Sequence, residues 1–292
     1  MKEPIRHHYI PQFILRNFAN DEGKVNYYDK KTKNATVVDT RDVFMSKNLY
    51  RDEVNNSNNP TKIEKDLSKF ENEISKILKH FQAEREITIT QEEDDKLKLF
   101  FAIMAFRSQI TYDMFHKMIS KESKQFYSKW QPNGNFSDLW KRNLGYIVNC
   151  RSLAEALENP NIDEPFKVFM TRDVFGYFGQ YFCVAETSDD THFVIGNTYP
   201  VDVTGIQDGG MQLRMYSILP FSPNRVILLA SNGIEGTPRE VLEMRPLVFG
   251  QPKINEKENT MTIRVKKLCL DETQVINCYI EKESKEGFIF KL

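Results

Sequence analysis

Glu64 and Glu71 stand seven residues apart, about two helical turns, which places both carboxylates on one face of a helix. Carboxylates so placed could exchange protons with a substrate or hold a divalent cation. Arg107 follows apolar Phe106 at the end of a hydrophobic run and could face the pair from the next helix. The structural alternative is an ion pair bridging two antiparallel helices, because a charge at the edge of an apolar helix needs a partner.

A second set of polar residues opens the chain. His8 and Gln12 flank Ile10-Pro11, where proline biases the preceding residue toward an extended conformation and also suits the first position of a helix. Two polar side chains at such a junction could point into one cleft beside a helix N-terminus, where free N–H groups favour phosphate or carboxylate. Tyr9 and Arg16, in the same run, are candidate ligand-binding residues. The alternative is that His8, Tyr9 and Gln12 hydrogen-bond neighbouring backbone and hold the segment to the core. His7 beside His8 suggests a metal site, but adjacent residues of an extended segment point to opposite faces. No H-x-x-x-H or H-E-x-x-H pattern is present, so no metal ligand is assigned.

A basic stretch interleaved with aromatics is a further signal. Arg6, Lys30, Lys31, Lys33, Arg41 and Lys47 surround Tyr9, Tyr27 and Tyr28, a composition that phosphodiester binding would use and that a solvated hairpin shows equally. Asp202 and Asp208 flank a glycine-rich loop, Gly205 to Gly210, without phosphate-loop spacing, and Asp189-Asp190 reads as a solvated turn. No G-x-S-x-G, Walker-type or dinucleotide fingerprint occurs.

The elements that must carry these residues are legible from periodicity. A short helix is expected from Pro11 to about Phe18, a strand over Val25 to Asp29, a basic turn, and a return strand over Thr36 to Val38. Ile63, Leu67, Phe70, Ile74, Ile77, Leu78 and Phe81 mark one long amphipathic helix, opened by a Thr61-x-x-Glu64 capping box. A second box, Thr90-x-x-Glu93, opens a helix that is apolar on nearly every side from Leu97 to Phe106 and could extend to Ile119. Pro132-Asn133-Gly134 interrupts the pattern, and a further helix is expected from Ser137 to Leu157. Strands are expected at Phe166 to Met170, Tyr177 to Ala185, His192 to Ile195, Gln212 to Leu219, Arg225 to Ala230 and Met261 to Val265. A helix over Asp271 to Glu283 and a strand at Phe288 to Leu292 close the chain. Helices and strands are segregated, which indicates an α+β fold with a helical N-terminal half on a mainly antiparallel sheet. The expectation is one interdependent domain, with lobes over 1–160 and 161–292.

Composition bounds the rest. Net charge is −1 from 40 basic and 41 acidic residues, so no global field draws the chain to nucleic acid or membrane. The longest apolar run, Leu99 to Phe106, is far short of the roughly 20 residues a membrane helix needs, and the first residues lack the apolar region of a signal peptide. Cys150, Cys183, Cys269 and Cys278 form no C-x-x-C pair and are expected to be buried, reduced thiols.

The run His8-Tyr9-Ile10-Pro11-Gln12-Phe13-Ile14-Leu15-Arg16-Asn17-Phe18 closely resembles the opening signature of a bacterial family, domain-of-unknown-function family 4238. Tyr27-Tyr28-Asp29 and Asn48-Leu49-Tyr50 resemble its early strand and aromatic-ended loop. Glu64 and Glu71 resemble its paired glutamates, and Arg107 the arginine closing its apolar helix. Leu219-Pro220-Phe221-Ser222-Pro223 and Asn277 resemble its later landmarks. One stretch departs from the pattern: where the family carries an acid before Asn-Pro-Val, this chain reads Ile195-Gly196-Asn197-Thr198-Tyr199-Pro200-Val201; if that acid is catalytic in the family, this chain lacks the activity or uses Asn197 for positioning only, and Asn197 joins Tyr9 and Arg16 as a candidate ligand-binding residue. The resemblance implies a shared fold and a cytoplasmic bacterial setting, but no reaction.

Three functions fit these residues. The first is a nuclease-like effector using His8, Gln12, Glu64, Glu71 and Arg107 around one cleft, with a divalent cation as an open cofactor. The second is a non-catalytic module binding a nucleotide or other anion, and the third a structural or partner-binding protein. Oligomeric state is not set by the sequence.

Overall fold

The computed structural model describes residues 6–108, 111–113, 115, 125, 128, 135–164, 167, 177, 179–188, 191–207, 211–231 and 249–291. The expected strand at Phe166 to Met170 lies almost wholly outside the described residues. So do the Asp189-Asp190 turn, Asp208 and the break at Pro132-Asn133-Gly134; the helix expected to reach Ile119 ends instead at Arg107, and beyond it only residues 108, 111–113 and 115 of the expected extension are described. The chain divides into two compact units. Unit 1 comprises Met1–Pro11, Phe44–Lys76 and Asp94–Phe175, and unit 2 comprises Gln12–Val43, Ile77–Glu93 and Gly176–Leu292. Each is assembled from three separate stretches of sequence.

Unit 1 is mainly helical. Strand β1 (Arg6–His8) pairs antiparallel with β4 (Met45–Lys47), so that His7 opposes Ser46 and His8 opposes Met45. Helix α2 (Lys62–Ala83) lays its apolar stripe inward: Ile63, Leu67, Phe70 and Ile74 are all buried. Helix α3 (Gln91–Arg107) is buried on nearly every side from Leu97 to Phe106, as its unbroken apolar sequence requires. Each such side chain contributes about 1.5–3 kcal/mol of transfer free energy. Trp140 on α4 (Phe136–Ile147) packs on Phe106 and Tyr50, and its indole N–H donates to the Phe106 carbonyl at 3.0 Å. The helix expected from Ser137 to Leu157 is two helices. It ends at Ile147, and α5 (Leu153–Glu158) starts afresh where the Ser152 hydroxyl accepts the Glu155 N–H.

Unit 2 is mainly sheet, and among its described residues all but one of the strand pairings are antiparallel. Strands β2 (Lys24–Asp29), β3 (Asn34–Asp39), β7 (Ile195–Gly196) and β14 (Gly287–Phe290) form one four-stranded sheet in the order β3-β2-β14-β7. A five-stranded sheet runs β13-β6-β10-β9-β8, from β6 (Gln180–Glu186), β8 (Val201–Gln207), β9 (Met211–Ser222), β10 (Arg225–Ser231) and β13 (Lys266–Lys267). Strands β5 (Glu86–Thr90), β11 (Lys253–Asn255) and β12 (Thr260–Arg264) make a third. Cys183, Val203, Tyr216, Leu228 and Ile276 share a core with Ile280 of helix α6 (Leu270–Glu283). Helix α1 (Gln12–Phe18) buries Ile14, Leu15 and Phe18, the positions its spacing marks. Gly205, expected in a loop, is instead within β8, where it pairs with Leu213.

The fold is therefore α+β with mostly antiparallel sheets. Among the described residues no helix is long and apolar enough to cross a membrane. The four cysteines are free, but only Cys150 and Cys183 are buried, while Cys269 and Cys278 are exposed. The latter two lie at the cap and on the outer side of α6, where no core demands an apolar residue.

Candidate functional site

The apolar run of α3 delivers Arg107 to the interior of unit 1, where water is absent and every N–H needs an acceptor. Its Nη1 donates to Glu71 Oε1 at 2.5 Å, its Nη2 to the carbonyl of His8, and its Nε to the Tyr50 hydroxyl at 3.1 Å. The Tyr50 hydroxyl donates onward to the His8 carbonyl at 3.3 Å. Tyr50 also stacks on His7, whose Nδ1 accepts the Tyr50 backbone N–H at 2.8 Å. Burial pushes the Tyr50 hydroxyl well above its ordinary range. Burial opposes the charge on Arg107, but Tyr50 and Glu71 outweigh it and hold the guanidinium protonated.

Glu64 is the unusual member of this group. Desolvation pushes its carboxyl up to about 7, against the pull of Arg107 and with a further push from Glu71. It makes no hydrogen bond or ion pair among the described residues. The Thr61-x-x-Glu64 capping box does not form. Thr61 Oγ1 turns to Asn59 Oδ1 at 3.4 Å, and Glu64 stays beside the arginine. The same motif at Thr90-x-x-Glu93 does close, with Thr90 N–H donating to Glu93 Oε2 at 2.9 Å and Glu93 N–H to Thr90 Oγ1 at 3.2 Å.

Five of the residues singled out from sequence thus belong to unit 1: His8, Tyr9, Glu64, Glu71 and Arg107. Glu71 and Arg107 pair directly, with Glu64 in the same electrostatic environment. His8 reaches Arg107 through its main-chain carbonyl. Tyr9 is buried, packs on Phe44 and donates its N–H to the Phe44 carbonyl at 3.0 Å. Gln12, Arg16 and Asn197 belong to unit 2. Gln12 Nε2 donates to the Thr40 carbonyl at 2.7 Å, and Arg16 is exposed at the end of α1. Asn197 is buried, and its Oδ1 accepts the Glu286 N–H at 3.2 Å, which ties β7 to the turn before β14. No group of three or more metal-ligating side chains occurs among the described residues.

The basic N-terminal stretch is not one surface. Arg6 and Lys47 oppose each other on β1 and β4 in unit 1, whereas Lys30, Lys31, Lys33 and Arg41 belong to unit 2. Lys30 is committed to the carbonyls of Glu281 and Ser284 at 2.5 and 2.6 Å, and Arg41 to Asp39 at 2.7 Å.

A different basic surface emerges in unit 2. An open groove of about 1090 Å³ is lined by Arg85, Lys253, Arg264, Lys266 and Lys267 against two carboxylates, Glu86 and Glu186. Strand pairing creates it: Arg264 of β12 opposes Glu86 of β5, and Lys267 of β13 runs parallel beside Glu186 of β6. Lys266 is held by Glu272 at 2.7 Å and lies over the Phe249 ring. Arg85, Lys253 and Arg264 are exposed and have no side-chain partner among the described residues. The run Arg264-Val265-Lys266-Lys267 is the local signal that could have pointed here. Arg85 and Lys253 join it only through long-range pairing.

Fold and sites together describe an α+β protein with a buried arginine centre in one unit and a cationic groove in the other. The chain belongs to the family described as protein of unknown function (DUF4238), which matches residues 6–280. No curated protein and no solved structure matches it.

Proposed function

We propose that the protein binds nucleic acid, with the phosphate backbone lying in the cationic groove of unit 2. The observation that carries this reading is that Arg85, Lys253 and Arg264 stand exposed in the groove with no side-chain partner among the described residues. Arg85, Lys253 and Arg264 can neutralise phosphates and release the counterions condensed on them, which drives sequence-independent binding. An open groove also suits a polymer better than an enclosed pocket would, since small-ligand sites bury most of their ligand.

The finer form of the reading is nuclease-like activity. Its catalytic candidate is Glu64 of unit 1, a carboxyl whose raised pKa of about 7 suits general acid–base catalysis, a reading independent of the groove in unit 2. A non-catalytic nucleic-acid-binding module is the alternative.

The test is a panel of labelled single- and double-stranded RNA and DNA, with magnesium, manganese or EDTA. Wild type is compared with the double variant Lys253→Ala/Arg264→Ala and with Glu64→Gln. Binding that the double variant weakens at least about tenfold is expected. Cleavage by wild type that Glu64→Gln loses while still binding supports the catalytic form; binding without cleavage leaves the module. No binding to any of the four nucleic acids overturns the proposal.

A further inference from the structure

One wall of the groove is a sheet face. Strands β11, β12 and β5 lie side by side in that order, and their register sets Lys253, Thr262 and Thr88 in one row across the sheet. Arg264 and Glu86 form the row on one side of it, and Asn255, Thr260 and Thr90 the row on the other. Successive residues of a strand point to opposite faces, and burial separates the two faces here. Ile87, Ile89 and Ile263 are buried, whereas Glu86, Thr88, Thr90, Lys253 and Arg264 are exposed. The outer face is thus polar at each of these positions, and Lys253, Thr262 and Arg264 carry it into the groove.

Hydroxyls and cations adjoin on that face. Thr88 Oγ1 and Thr262 Oγ1 lie 3.0 Å apart, so one hydroxyl donates to the other and the second keeps its proton for an outside acceptor. Lys253 stands beside Thr262 on the neighbouring strand, and Arg264 follows it two positions along its own strand. Those steps are about 4.8 Å and about 6.7 Å, so charge and hydroxyl lie within one small area. Among the described residues no aromatic side chain lines the groove. Phe249, next to Gly250 of the groove wall, is buried, and the Lys266 ammonium lies over its ring at 5.3 Å.

We infer that the groove and this face take double-stranded nucleic acid in preference to single strands, held through its phosphate backbone. The inference rests on the reading of the groove as a nucleic-acid surface. Proteins that hold single strands stack the bases on aromatic side chains, and the described residues of this surface offer no ring. A duplex keeps its bases in its own stack and needs no such platform. It presents one negative charge per about 1.7 Å of its axis, against about 3.4 Å for one of its strands, so exposed cations meet more phosphate on it. Hydroxyls and cations are the groups that phosphate oxygens accept from, and they are what Thr88, Thr262, Lys253, Arg264 and Arg85 supply. Glu86 opposes Arg264 at the β5 edge, which biases the phosphates toward Lys253 on the β11 side.

Fluorescence anisotropy decides it, with one short sequence prepared as a single strand and as a blunt duplex, in DNA and in RNA, at one salt concentration. In both chemistries the duplex should bind about tenfold or more tightly than its own strand. Thr88→Tyr puts a ring on the exposed face at a strand position that suits one. It gives unpaired bases a platform and should shrink the duplex preference at least about fivefold. Equal affinities, or a tighter single strand, in either chemistry overturn the inference and leave the reading of the groove standing. A preference that Thr88→Tyr does not shrink also overturns it, because the preference then has a source other than the missing platform. Failure to bind any of these forms overturns the nucleic-acid reading and the inference with it.

Discussion

Arg107 Nη1 lies 2.5 Å from Glu71 Oε1, with the arginine side chain 2% exposed and the glutamate 20% exposed. The arginine's other donors go to the His8 carbonyl and Tyr50, so β1, the segment after β4, α2 and α3 meet on one guanidinium. Each of its three nitrogens spends an N–H on the protein, which makes Arg107 a positioning residue. Replacing it with methionine leaves the Glu71 carboxylate without its partner and removes one bond each from Tyr50 and the His8 carbonyl. Arg107→Met should lower unfolding free energy by about 3–5 kcal/mol, the range for breaking a buried charge pair from one side. Urea denaturation measures it, and a loss below about 1 kcal/mol would show that the network is not holding unit 1 together.

Glu64 makes stability depend on pH. Its carboxyl is raised from 4.5 to about 7 in the folded protein. Below pH 4.5 the folded and unfolded states both carry the proton. Between 4.5 and about 7 the folded state keeps a proton that the unfolded chain has released, so stability falls as pH rises through this window. The full loss is on the order of 3 kcal/mol, from the size of the shift. Glu64→Gln should remove this component and flatten the stability profile between those pH values. Parallel profiles for the two proteins would show that Glu64 titrates normally.

Gly287 pairs with Asp29 where β14 meets β2. A Cβ there would run into the Tyr28 carbonyl oxygen and the Tyr27 ring. The obstructing oxygen is backbone inside a sheet and cannot swing away. Gly287→Ala should therefore destabilise unit 2 by about 1–3 kcal/mol or more, read as a drop in Tm. An unchanged Tm would mean that β14 can shift along β2 without cost.

Much of the fold was legible because helices announce themselves locally. The apolar stripe from Ile63 to Phe81 and the all-round apolar run from Leu97 to Phe106 each name a helix and its buried side. The pairing of Glu71 with Arg107 follows from a charge at the end of a buried helix needing an acid nearby. Identical motifs nevertheless diverge, since Thr90-x-x-Glu93 caps its helix while Thr61-x-x-Glu64 does not. Tertiary surroundings decide there: Glu64 lies beside Arg107, which its helix alone cannot specify. The basic N-terminal residues looked like one patch because they are near in sequence, yet they divide between two units and several are already paired. The groove was invisible for the opposite reason. Arg85 and Lys253 are far apart along the chain, and only the β5–β12–β11 pairings bring them to one surface.

That pairing gives the groove a quantitative signature. Lys253 and Arg264 are exposed and lack an acid partner among the described residues, so removing them should leave stability within about 0.5 kcal/mol. Each cation that neutralises a phosphate adds about 0.7 to the salt slope on a single strand and about 0.9 on a duplex. Lys253→Ala/Arg264→Ala should thus make the slope of log K against log salt shallower by about 1.4 on single strands and about 1.8 on duplex. Arg151 is the control: its side chain is 88% exposed, but it is paired with Glu155 at 3.1 Å and belongs to unit 1. Arg151→Ala should leave the slope unchanged. If both variants shift the slope equally, the ligand responds to overall charge, and the groove has no privileged part in binding. A shift confined to the groove variant requires phosphates to lie along Lys253 and Arg264.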